Sequence, residues 1–155
     1  MAITSKELEI QLERVRKLES NVTFQFSIVA KLMEMDAMNE IKDTPLNLTG
    51  YRLLRTVQTF ERISMADLSR HMVTDNAQIS RTAADLRKQG LVDFEADPTS
   101  KRRKIVILTE AGEDLLRSLD PRFKKRQEAV RECLGDDLRA SLAECFERLT
   151  AHFSR

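Results

Sequence analysis

The chain has 155 residues, 41% of them hydrophobic, which suffices for one core-bearing domain with appended helices rather than two separate domains. Its formal net charge is only +1, so total charge announces no polyanionic partner. Two cysteines are too few for a disulfide scaffold or a zinc site, and no apolar run reaches the roughly eighteen residues of a membrane span or resembles a signal peptide.

From the N-terminus, Leu8, Leu12, Val15 and Leu18 recur at helical spacing, and after Ser20 and Asn21 a second series (Phe24, Ile28, Leu32, Met35) continues to Ile41. Thr44-Pro45 ends this pair, because the residue before proline avoids the α region and proline lacks an N–H. Thr49 is then expected to cap a helix that buries Leu53, Leu54, Val57 and Phe60. Ser64 with Asp67 reads as a capping box opening a short helix, and Asp75 with Gln78 opens the next.

That next helix lies within "TDNAQISRTAADLRKQG", which closes with Gly90, a residue that ends helices. At about one hundred degrees per residue, Ile79, Thr82, Ala83 and Leu86 share its inner face, while Ala77, Arg81, Ala84 and Lys88 lie opposite, with Gln78 and Ser80 at the margins and Asn76 in the first turn. Two alanines permit close approach to another surface, Arg81 can fork onto guanine or phosphate, and Gln78 can pair with adenine. A solvated amphipathic helix is the alternative.

After Leu91 the period falls to two, with Val92, Phe94 and Ala96 and then Ile105 and Ile107 reading as a β-hairpin. Its tip is expected to be "DPTSKRRK", where Lys101, Arg102, Arg103 and Lys104 repel one another unless an anion such as a DNA phosphate is present. Between Gly50 and Leu108 there are eleven Lys/Arg against seven Asp/Glu, leaving fifteen against eighteen elsewhere, so positive charge concentrates around these two features. Thr109 restarts a helix expected to end at Pro121, and a last helical stretch, broken at Gly135, carries Leu138, Leu142, Cys145, Phe146, Leu149 and Phe153.

The expected fold is therefore mainly α with a small β-hairpin: a winged helix-turn-helix DNA-binding lobe over residues 48–108, N-terminal helices over 1–47 and C-terminal helices over 109–155. The final stripe has more apolar surface than a terminal helix of a small domain needs. Burial between two subunits, with Leu8 and Leu12 joining it, is the simplest outcome; burial within one chain is the alternative.

The motifs "LTGYRLL", "MADLSRHM", "AQISRTAADLRKQGLV" and "DPTSKRRKIVILTEAG" together resemble the MarR-type winged-helix transcriptional regulators over roughly Leu48 to Pro121. The similarity rests on Ser80, Arg81, Leu86, Gly90, Leu91 and Val92 in the recognition helix and on Asp97, Pro98, Arg102, Leu108, Thr109, Ala111 and Gly112 in the wing and after it. Ser100 stands where the family usually has a wing aspartate, and Thr82 and Ala83 where leucines are common. The resemblance implies a homodimer on a palindromic double-stranded DNA operator, often a repressor released by a small lipophilic or aromatic ligand. A winged-helix module for protein interaction that does not bind DNA is the competing reading.

Phe24, Met33, Met38 and His71 are the candidate effector pocket, with plain core packing and a helix-terminal histidine as the other readings. Cys133 and Cys145 lie on apolar stripes and read as inert core thiols. No phosphate loop, nucleophile motif or metal-spaced histidine pair is present, so neither catalysis nor a cofactor or metal is expected. A cytoplasmic location follows from the charged N-terminus and the two thiols.

Overall fold

The structure is a computed structural model that describes residues 5–97 and 100–154, with the backbone alone at 5 and 100–102. The chain divides into two compact units, Met1–Leu48 and Thr49–Arg155.

The first unit holds α1 (Ser5–Glu19) and α2 (Val22–Ile41), separated where the sequence places Ser20 and Asn21. Asn21 starts α2 by accepting the Phe24 N–H at 3.0 Å, satisfying one of the amides a helix start leaves open. Beyond Ile41, Thr44 donates its hydroxyl to the Ile41 carbonyl at 2.7 Å and so covers a helix-end acceptor. Apart from Ala37 and Ile41, α2 buries little of its apolar surface.

The second unit runs α3 (Leu48–Phe60), β1 (Ile63–Ser64), α4 (Met65–Met72), α5 (Asn76–Lys88), β2 (Val92–Asp97), β3 (Ser100–Leu108) and α6 (Glu110–Phe153). Its core is built from the predicted stripes, except that Phe60, expected in the buried stripe of α3, is the last residue of that helix and is exposed. Leu53, Leu54 and Val57 of α3, Leu68 of α4, Ile79, Ala83 and Leu86 of α5, Val92 and Val106 of the sheet, and Leu116 and Leu119 of α6 are all buried. Burying each of the leucines, valines and isoleucines among them stabilises the unit by about 1.5 to 3 kcal/mol.

Four other expectations need correction. The hairpin is the larger part of a three-stranded antiparallel sheet of order β1-β3-β2, in which Ile63 pairs with Val106; a two-residue strand has no period to read. The helix α3 starts at Leu48, so Thr49 lies inside it rather than capping it. Pro121 does not end α6. The helix is held on both sides of the proline, by the Arg55–Asp120 ion pair and by Tyr51 stacked on Phe123 at 4.2 Å, and that packing overrides the missing N–H. The basic run is not at a turn, since residues 101–104 belong to β3 and Lys104 pairs with Ala96. The tip residues Pro98 and Thr99 lie outside the described residues.

Candidate nucleic-acid interface

The segment from Ser64 to Lys104 builds one surface from three pieces. Ser64 caps α4, accepting the Asp67 N–H at 3.2 Å and donating its hydroxyl to the Asp67 carboxylate at 2.6 Å. That hydroxyl bond holds the Asp67 carboxyl below its ordinary value, with the positive charges of Arg70, His71 and Arg103 adding to the effect and desolvation opposing it. The cap fixes where α4 begins and therefore where the following turn falls.

At that turn Val73 adopts the left-handed conformation, φ 49° and ψ 47°. Its neighbours tie it down. The Thr74 N–H donates to the Ser69 carbonyl at 3.0 Å, and the Ser69 hydroxyl donates to the Thr74 carbonyl at 2.5 Å. The helix α5 then starts as read, with the Asp75 carboxylate accepting the Gln78 N–H at 2.8 Å. At its far end Gly90, at φ 74°, lets its own N–H reach the Arg87 carbonyl and the Leu91 N–H reach the Leu86 carbonyl, a paired closure that needs a residue free to take positive φ.

Both ends being fixed, the face that α5 presents is set by its inner stripe. Ile79, Ala83 and Leu86 are buried, Thr82 is half-buried, and Asn76, Ala77, Gln78, Ser80, Arg81 and Lys88 are exposed. Ala84 is half-buried. Arg81 has no ion-pair partner among the described residues, whereas Lys88 lies 3.5 Å from Asp85.

Beside α5 stands the hairpin. Phe94 of β2 lies between two cations, with the Arg87 guanidinium 5.0 Å and the Lys104 ammonium 5.6 Å from its ring centre. Arg87 also donates its Nε–H to the Asp93 carboxylate at 3.0 Å. An open groove of about 460 Å³ runs between these parts, lined by Ser64, Met65, Asn76, Ser80, Ala84, Phe94, Arg103 and Lys104 among others. Its mixed lining, with Ser64, Asn76 and Ser80 among apolar side chains, and its two cations, Arg103 and Lys104, suit an anionic, hydrogen-bonding partner. The Lys101 and Arg102 side chains lie outside those described.

The reading from sequence found the exposed face but missed Arg87, Asp93 and Phe94. Arg87 and Asp93 are joined across a helix end and a turn, where no period links them, so their pairing left no pattern.

The other candidate residues are more scattered. Phe24, Met33 and Met38 lie on α2, but nine residues put Met33 about half a turn of the helix away from Phe24, so α2 by itself does not gather all three. His71 is exposed in the second unit, 4.5 Å from the Phe60 ring, and borders an open cavity of about 380 Å³ lined with Tyr51, Arg52, Arg55, Thr56 and Met72. Leu8, Leu12, Leu138, Phe146 and Phe153 are exposed, while Leu142, Cys145 and Leu149 are half-buried. Cys133 is exposed and so is no core thiol of this chain, whereas Cys145 is half-buried.

Known proteins share this arrangement. Residues 44–103 match the model of the MarR family. The HTH-type transcriptional regulator Hpr of Geobacillus sp. (strain WCH70) is 27% identical over 100 residues, which are 64% of this chain and 50% of that protein. The chain thus spans about half the length of the curated relatives it matches. Among solved structures, Bordetella bronchiseptica BpsR, whose DNA binding is regulated by 6-hydroxynicotinic acid, superposes with a TM-score of 0.76 at 17% identity, covering 85% of this chain and 94% of BpsR. The PcaV transcriptional regulator from Streptomyces coelicolor, solved with its natural ligand, gives a TM-score of 0.75 at 18% identity over 86% of this chain and 94% of PcaV. The chain therefore shares the fold of these regulators, and residues 44–103 carry its similarity to the MarR family.

Proposed function

We propose that this chain is a MarR-type, homodimeric, sequence-specific DNA-binding transcriptional regulator of the cytoplasm, acting as a repressor that a small-molecule signal releases. One observation carries the reading. The face of α5 that the fold leaves outward combines Ala77, Ala84 and an uncommitted Arg81, and it lies beside a strand with four successive cations. The recognition helix would enter a major groove while β3 meets the flanking backbone.

Dimerisation is supported by unspent apolar surface. Val22, Ile28, Val29, Leu32 and Met35 of α2 are exposed and point in several directions around the helix, as are Leu138, Phe146 and Phe153 near the other end of the chain. A helix apolar on most sides requires cover on most sides. A second copy offers the same surfaces in return. Release by a ligand is supported by the relatives named above and by the cavity beside His71.

Capture of genomic duplex fragments by the purified protein, followed by gel shifts on the enriched sequence and a scrambled one, tests the proposal. Equal affinity for both at several salt concentrations would leave the protein-interaction reading in its place.

A further inference from the structure

The cations of α5 are not equally available. Arg87 is engaged twice, by the Asp93 carboxylate at 3.0 Å and by the Phe94 ring at 5.0 Å, so that it joins the end of α5 to β2. Arg81, six residues earlier, is exposed and has no partner among the described residues. At about one hundred degrees per residue the two side chains are separated by roughly a third of the helix circumference: Arg87 faces the hairpin, and Arg81 shares the outward face with Ala77 and Ala84.

We infer that Arg81 and Gln78 are the base-reading pair of α5 and that Arg87 is a positioning residue, withheld from DNA to set the angle between recognition helix and wing through Asp93 and Phe94. This rests on the DNA-binding reading proposed above. Gln78 and Arg81 are about 4.5 Å apart along the helix axis, close to one base-pair step of roughly 3.4 Å. They therefore address neighbouring base pairs. A forked guanidinium matches guanine O6 and N7, and a carboxamide matches adenine N6 and N7. Each half-site should then hold a guanine next to an adenine as its strongest position, with little preference where the C-terminal turn of α5 passes.

The Phe94 ring gives the positioning role its reach. The same ring lies 5.6 Å from the Lys104 ammonium, so a change at Arg87 alters the setting of a wing cation as well. Loss of Arg87 should weaken every sequence together. Loss of Arg81 should erase one letter of the code.

Selection of bound duplexes from a random library, with wild type, Arg81→Ala, Gln78→Ala, Arg87→Ala and Arg87→Lys compared on the resulting motif, separates these roles. Arg81→Ala should lose about 5- to 140-fold discrimination at the guanine and keep the rest of the motif. Arg87→Ala should retain the motif at reduced affinity for all duplexes, with Arg87→Lys, which keeps a cation beside Phe94, recovering part of it. A motif that changes letter with Arg87→Ala, or survives intact with Arg81→Ala, overturns the assignment while leaving DNA binding in place. A wild-type protein that enriches no motif overturns both.

Discussion

Gly112 lies so close to Leu91 that a Cβ built on it would stand 2.1 Å from the Leu91 carbonyl oxygen. The contact is backbone against backbone, at the point where α6 begins against the end of α5. Two bonds from Thr109 brace the same junction: its hydroxyl donates to the Gly90 carbonyl at 2.6 Å and accepts the Gly112 N–H at 3.1 Å. No flexible side chain can yield there. Gly112→Ala should therefore cost about 3 kcal/mol, near the upper end for overpacking, and lower the urea midpoint accordingly; a wild-type midpoint would mean the junction gives way easily.

Val73 predicts the opposite sign. Its left-handed backbone, φ 49°, is unfavourable for a β-branched residue, and its side chain is 93% exposed, so no packing repays the strain. Val73→Asn and Val73→Gly should each raise stability by about 1 kcal/mol. Thermal or urea unfolding checks this, and a loss of stability in both variants would show that Val73 makes a contact in the functional assembly.

Asp67 makes one part of the stability depend on pH. Its folded carboxyl titrates below the ordinary 3.8, first because the Ser64 hydroxyl bonds it. A depressed folded value contributes stability that is complete above the unfolded value and is lost as pH falls through the folded one. Ser64→Ala removes both that bond and the cap, and should cost about 1 kcal/mol at neutral pH. The gap between wild type and variant should narrow, without closing, as pH falls below 3.8; a gap constant from neutral to acid would separate Asp67 from Ser64.

The basic strand should behave as a positioning surface. Replacing Arg102 and Arg103 together by alanine is expected to weaken all duplexes alike and to reduce the salt slope of binding by roughly one to two. The measurement is a titration at several salt concentrations. A slope identical to wild type would remove β3 from the interface.

Leu142→Asp with Leu149→Asp tests the subunit contact. If these residues are buried between copies, two unpaired carboxylates there cost several kcal/mol and either separate the dimer or unfold it. A surviving monomer would lose the gain in effective concentration that two half-sites provide. Sedimentation alongside binding to operator and scrambled duplex decides the matter, and a folded monomer with full operator preference would contradict the role given to this stripe.

What could be read from the sequence was what local chemistry writes at both ends of an element. Asp75 with Gln78 and the closing Gly90 delimited α5, and its inner stripe of Ile79, Ala83 and Leu86 is buried as expected. Where distant parts decide, the sequence was silent or misleading. Pro121 looks like a terminator, yet Tyr51 and Arg55 of α3 hold the helix through it. Ile63 and Ser64 become a strand only because β3 offers them an edge. Arg87 looks like one more surface cation until Asp93 and Phe94 fold back beside it.

Gly135 has a consequence of another kind. Its backbone, φ 66° and ψ 175°, interrupts α6 in a conformation essentially reserved for glycine. In an unbroken helix the azimuth of every later side chain is dictated by the earlier ones, so the stripe from Leu138 to Phe153 would inherit its direction from Gly112, Leu116 and Leu119. With the interruption, two torsions of one residue set that direction. The helix is two shafts joined at one residue, and the direction of the second is fixed there without involving any core side chain upstream.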